Sequence, residues 1–172
     1  MRIVALDLET TGLSPQHDAI LQLAMVEVDP ETLIPTRHHF VMDVQASADE
    51  LGLMNDFVRD MHTMTGLLAR QDMASDRCLV LRAALAWMGP VQNEVYVLGD
   101  SVHFDIAFLR VHMPSLAARF SYRIIDTTSI WLGLGLEQPE TACALEHDAL
   151  ADAMYSIEKL KAFRKQVKGG PS

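Results

Sequence analysis

The sequence predicts an α/β fold built on a mixed five-stranded sheet, and three observations carry that prediction. Short β-branched and apolar runs alternate with amphipathic runs of helical period. The first three strand-like runs follow one another with no helix between them, which calls for an antiparallel meander. After a helical stretch the order becomes strand, helix, strand, helix, helix. That order calls for parallel pairing, with helices flanking the sheet.

The elements can be justified in turn. Arg2 to Leu8 is a short apolar run that reads as a buried strand. Thr10-Thr11-Gly12-Leu13-Ser14-Pro15 forms a turn, and a second strand covers Ala19 to Val28. Asp29-Pro30-Glu31 turns the chain into a third strand, Ile34 to Met42. Helical patterns cover Ala48 to Met61 and Ser75 to Met88, the second opened by Ser75 or Asp76 and stopped by Gly89-Pro90. Val95 to Leu98 is a strand leading through Gly99-Asp100-Ser101 into a helix that ends near His112. Tyr122 to Ile125 is the fifth strand, Asp126 or Thr127 caps the next helix, and a long helix runs from His147 to Gln166.

With 172 residues the chain suffices for one domain, assigned to 1–167, with 168–172 expected to be a flexible tail. Two cysteines, Cys78 and Cys143, make neither a disulfide framework nor a zinc site. The sequence has no basic, apolar leader, and no apolar run reaches the roughly 18 residues of a membrane helix. A cytoplasmic protein is expected. The net charge is −9, whereas proteins that grip a long nucleic acid neutralise many phosphates with Lys and Arg; a nucleic-acid substrate is therefore expected to be held through few phosphates, or with metal ions doing the neutralising.

Several carboxylates sit where chemistry is possible, and each has an ordinary reading as well. Asp7 and Glu9 are two apart on the first strand and share a face. They suit a metal site at the strand end, or one polar face of an edge strand. Asp105 lies where a strand hands over to a helix, a position that capping and the helix dipole also favour. His147 and Asp152 are five apart, about 140° around an ideal helix. They converge only if His147 sits in the loop before the helix. Asp148 and Asp152 do share a face.

Taken together, Asp7-Leu8-Glu9-Thr10-Thr11-Gly12, then Gly99 with Asp105 and Phe108-Leu109, then His147 with Asp152 resembles the three motifs of the DEDD exonuclease superfamily in its histidine-bearing branch. The stretches between them, Leu53 to Phe57, His62-Thr63, Thr65-Gly66-Leu67, Met113-Pro114, Tyr122-Arg123 and Asp126, are similar to those of oligoribonucleases. The resemblance spans Ile3 to about Leu160. It implies a ribonuclease H-like fold and 3′→5′ removal of nucleotides from very short single-stranded RNA.

Residue by residue, the resemblance implies that Asp7, Glu9, Asp105 and Asp152 bind two divalent cations, Mg²⁺ or Mn²⁺, with His147 as general base. An all-oxygen donor set suits such hard cations. Leu13 matches a leucine that wedges between bases, and Phe57 stands where the family generally has a base-stacking tryptophan. Ser101, Arg123 and Thr128 fall where the family contacts a 5′ phosphate, with His62 on the same side. Tyr122 matches a tyrosine that a homodimer partner donates. No obligate partner of another kind is implied.

Three departures, Phe57 for tryptophan, Thr128 for serine and Thr10 for methionine, keep open a related exonuclease acting on DNA or on longer RNA 3′ ends. A silent binding module is disfavoured by the five matching chemical positions. A small-molecule α/β enzyme would want a glycine-rich phosphate loop, and Thr10-Thr11-Gly12 has one glycine.

Overall fold

In the computed structural model, which describes residues 1–90, 94–138 and 147–169, β1 (Arg2–Thr10) lies at the centre of a five-stranded sheet. Antiparallel to it runs β2 (Ile20–Val28), which pairs in turn with β3 (Phe40–Asp43). On the other side β4 (Val95–Gly99) pairs parallel to β1, and β5 (Phe120–Asp126) pairs parallel to β4. The order β3-β2-β1-β4-β5 is the mixed sheet expected from the element order.

Alternation along β1 divides the core. Val4, Leu6 and Leu8 face one side, where they meet α3 (Arg77–Met88) and α4 (His103–His112) through Val80, Ala84, Phe108 and Leu109. Ile3 and Ala5 face the other, under Ala153, Ile157 and Leu160 of α7 (Ala149–Lys168). Asp7 and Glu9 continue the Ile3–Ala5 row, so the strand's period of two aims both carboxylates at the α7 side. A register shift between Glu9 and Thr10 ends the regular pairing there. Such irregularities re-aim side chains at the rim of a sheet.

Several boundaries differ from expectation, each for a local reason. The third strand is Phe40–Asp43 and not Ile34 to Met42; Pro35 makes only an isolated bridge with Val28, and proline has no N–H to continue a ladder. The helix expected over 48–61 divides into α1 (Ala48–Gly52) and α2 (Asp56–Met64). Ser47 and Glu50 close a capping box on the first, and Asn55 starts the second by accepting from the Val58 N–H. Two short elements were not anticipated, a 3₁₀ turn at Leu68–Met73 and α5 (Pro114–Ala117). The helix α6 (Thr127–Leu134) is capped by Asp126, one of the two expected residues, and ends at Gly135 in the left-handed conformation. Cys143 lies outside the described residues, and α7 runs through Lys168.

Candidate active site

The end of β1 gathers acidic side chains from three elements. Oxygens of Asp7, Glu9 and Asp152 all lie within 4.8 Å of one another. Asp152 comes from the first turn of α7, and packing of the adjacent Ala153 in the core holds that turn against β1. Asp105 approaches in the first turn of α4, where its Oδ1 accepts the Leu8 N–H at 3.0 Å. This buried bond ties the helix to the strand directly between Asp7 and Glu9.

The electrostatics of this cluster are unfavourable without a cation. Burial pushes Asp7 well above the ordinary carboxylate range, and the charges of Asp105, Asp152 and Glu9 push it further. Burial likewise takes Glu9 up to about 8, with Asp152, Asp148 and Asp105 adding to the effect. Asp105 is raised to about 8 by burial, although the Leu8 N–H favours its charged form. A buried all-oxygen set that repels itself this strongly fits a hard divalent cation.

His147 lies in the loop immediately before α7, the position required for it and Asp152 to converge. Its φ of 45° is left-handed, a conformation that costs energy in a non-glycine residue and persists where surroundings enforce it. The enforcement is visible next door. Asp148 caps α7 by accepting from Leu150 and Ala151 N–H groups at 3.2 Å, so the acidic first turn of α7 divides its work between a cap and the cluster. The Ala149 N–H donates to Gln22 Oε1 at 2.9 Å, while Gln22 Nε2 donates to Asp43 at 2.8 Å. Gln22 therefore anchors the start of α7 to the sheet. It is a positioning residue that the sequence reading missed, although one glutamine within Ile20-Leu21-Gln22-Leu23 was a visible signal.

His62 is fully buried. Its Nε2 lies 2.9 Å from the Thr10 carbonyl oxygen, so that nitrogen carries the proton. Its Nδ1 sits 3.8 Å from Glu9 Oε2. Burial lowers its pKa, opposed by the Thr10 carbonyl and reinforced by nearby His147. His62 thus braces the end of β1 from beneath, instead of lining an open pocket with Ser101 and Thr128.

Leu13 and Phe57 are 81% and 74% exposed. The Leu13 turn is rigid: Asp18 accepts from the Ser14 N–H at 2.8 Å and from Thr11 at 3.3 Å. A Cβ at position 12 would lie 2.6 Å from that carboxylate, which explains Gly12. Ser101 and Thr128 are together, their hydroxyl oxygens 3.2 Å apart. Arg123 is not with them. It reaches Glu94 at 3.4 Å and stacks over Tyr122, and both residues project from the outer strand β5.

With this geometry in place, comparison with known proteins gives a consistent result. The family model described as Exonuclease matches residues 4–160. Oligoribonuclease from Vibrio cholerae is 30% identical over 96% of this chain and 94% of its own length. Oligoribonuclease from Cutibacterium acnes is 32% identical over 95% of this chain and 84% of its own. Among solved structures, E. coli exonuclease I in complex with a dA16 oligonucleotide superposes with a TM-score of 0.74 at 16% identity. That match covers 96% of this chain but 41% of the exonuclease I chain. Pop2p of S. pombe, in its Mg²⁺- and Mn²⁺-bound form, gives 0.68 at 12% identity, covering 96% and 83%. These last two share the fold. The motif-bearing strand end, the helix-start aspartates and the extent of both sequence matches agree, and the chain belongs to the exonuclease family, in its oligoribonuclease branch.

Proposed function

We propose that the chain degrades very short single-stranded RNA, from dinucleotides to a few nucleotides, to 5′-mononucleotides. Metal-dependent 3′→5′ exonuclease chemistry comes with the family. The observation that carries the reading is the Asp7, Glu9 and Asp152 cluster with Asp105 bound across the Leu8 N–H. These four carboxylates would hold two divalent cations, Mg²⁺ or Mn²⁺, which when bound supply an activated water and charge stabilisation at the phosphoryl oxygens. His147, in the loop beside the cluster, takes the proton from the attacking water as general base.

The preference for short substrates rests on the surface around this cluster. Leu13 and Phe57 present exposed apolar faces for the bases, and Phe57 retains a stacking surface smaller than tryptophan's. Ser101 and Thr128 face the 5′ end. The net charge of −9 leaves little attraction for a long phosphate backbone.

A homodimer completes the site in this reading. The outer strand β5 presents Tyr122 at 77% exposure and Ile124 at 39%. Beyond them, Leu132 and Leu134 of α6 are also exposed. An open strand edge flanked by apolar residues suits pairing with a second copy, which would bring Tyr122 and Arg123 to the partner's 5′ pocket. No helix among the described residues is long and apolar enough to cross a membrane, in keeping with a cytosolic enzyme.

The decisive experiment is gel-resolved cleavage of RNA two, five and twenty nucleotides long, with Mg²⁺ or Mn²⁺ and with chelator. The expected result is metal-dependent loss of the dinucleotide faster than of the long strand, abolished in Asp105→Ala. Trimming of the twenty-mer with the dinucleotide intact would overturn the short-RNA specificity and favour the longer-substrate reading.

A further inference from the structure

One face of α4 carries a polar side chain at each end of the helix. Asp105, Phe108 and His112 follow at intervals of three and four residues, which places them on the same side of the helix. Asp105 stands in the first turn and accepts the Leu8 N–H near the end of β1. His112 is the last residue of the helix, and its Nε2 lies 2.9 Å from the Pro15 carbonyl oxygen. A carbonyl oxygen only accepts, so Nε2 carries the proton and donates. The bond joins positions 97 residues apart in the chain.

The imidazole is held in place from within the core. Phe108 is fully buried, and the His112 ring stacks on it with centroids 5.8 Å apart and planes 19° from parallel. Met113, the next residue, is also fully buried, and its N–H donates to the Leu109 carbonyl oxygen at 2.8 Å. The end of α4 is therefore a fixed point.

The turn that displays Leu13 depends on it. The other hydrogen bonds of the turn are among its own residues: Thr11 with Ala19, Asp18 with Ser14 and Thr11, Thr10 with Gly12, and the N–H groups of His17 and Asp18 with the Ser14 carbonyl oxygen. At its base His62 holds the Thr10 carbonyl oxygen. Among the described residues, the hydrogen bond joining residues 12–17 to another element is the one from His112. These internal bonds keep the turn's shape, whereas His112 fixes its bearing on the rest of the fold. From Asp105 to His112 the helix rises about 10 Å. Helix α4 thus acts as a strut of set length between the carboxylate cluster and the turn.

We propose that His112 is a positioning residue for the exonuclease reaction. By holding the Pro15 carbonyl it sets where Leu13 meets a base, relative to the carboxylates at the end of β1. The inference rests on the reading of Leu13 as a base contact.

The test measures kcat and KM of the full chain with Mg²⁺ on the diribonucleotide pApA. His112→Phe keeps the ring and its stacking on Phe108 and removes the donor. It is expected to raise KM about fivefold, the scale of one lost hydrogen bond, with kcat changed by less than about twofold. His112→Gln retains an N–H donor and should restore KM. In Leu13→Ala, adding His112→Phe should raise KM little further, because a residue that acts through Leu13 is not additive with it. Hydrogen exchange of amides 12–17 should quicken in His112→Phe and not in His112→Gln, with thermal melts confirming that each variant is folded. KM unmoved in His112→Phe, His112→Gln as impaired as His112→Phe, or full additivity with Leu13→Ala would overturn the inference and leave the exonuclease reading standing. Should wild type leave pApA intact and trim a five-nucleotide RNA, the short-RNA reading falls, and the same variants on that strand decide the inference. Cleavage of neither probe would remove both.

Discussion

The Ala149 N–H donates to Gln22 Oε1 at 2.9 Å, joining the second strand of the sheet to the first residue of α7. The bond is buried and spans 127 residues of sequence. His147 lies two residues ahead of it and Asp152 three residues after it. Whatever moves Ala149 moves both. Gln22→Leu keeps the volume but leaves the N–H without a partner, at a cost of about 1–3 kcal/mol. The expected result is a lowered melting temperature, with kcat falling more than KM rises; unchanged kcat in a folded variant would show that the tether does not position the site.

Asp105→Asn separates charge from architecture. Asparagine can still accept from the Leu8 N–H, so the α4 contact survives while the charge is lost. Activity is expected to fall by about 10³-fold, the scale of losing a group used in the transition state. Stability without metal should be unchanged or higher, because a repelling carboxylate is gone. Thermal melts in chelator beside single-turnover rates check both halves.

The raised carboxylates predict how stability follows pH. Glu9 has an ordinary value of 4.5 and is lifted to about 8 in the fold, and Asp7 is raised as well. The folded state therefore holds protons that the unfolded chain has released. Metal-free stability should be greatest below about pH 4.5, as far as these groups are concerned, and fall as pH rises toward 8. Metal binding displaces those protons, so Mg²⁺ or Mn²⁺ should flatten the slope and raise the melting temperature most at alkaline pH. A metal-free melting profile that rises from pH 5 to 8 in wild type, and is unaltered in Glu9→Gln, would contradict the assignment.

Base stacking is read most directly at Phe57, 74% exposed on α2. Phe57→Ala should raise KM for a dinucleotide by about tenfold or more, since stacking is worth roughly 1–3 kcal/mol per base. Phe57→Trp should lower KM. Because the side chain is outside the core, neither change should move the melting temperature by more than a degree or two, and steady-state kinetics on dinucleotides distinguish the three proteins.

The outer strand supplies a further prediction. Tyr122→Ala removes a ring that is 77% exposed and carries the Arg123 guanidinium over one face. In the homodimer reading it should lower kcat/KM for dinucleotides by at least tenfold while the circular dichroism spectrum is unchanged. Sedimentation of wild type as a monomer, with full activity retained in the variant, would remove the partner from the site.

The sequence by itself determined a mixed sheet, antiparallel over its first three strands and parallel after them, and its motifs pointed to the acidic residues. Strand and helix periods are local properties, whereas the order β3-β2-β1-β4-β5 is set by tertiary pairing. Asp7 and Glu9 share a face by the period of a strand alone. The placement of His147 was legible as a condition, a loop position ahead of α7, and the structure meets it through a left-handed backbone. Local signals also misled: the run from Ala48 to Met61 has helical character throughout, yet the Ser47 and Asn55 caps divide it.

Only tertiary structure decided the rest, because it depends on which groups are left without water. Nothing local says that His62 lies beneath Thr10, that Gln22 meets Ala149, or that Arg123 turns to Glu94 and away from Ser101. Lys159 reads in sequence as one more solvated lysine on a long helix. Burial removes its water and obliges it to find Asp100, and that choice orients the Thr128 proton, 31 residues earlier in the chain.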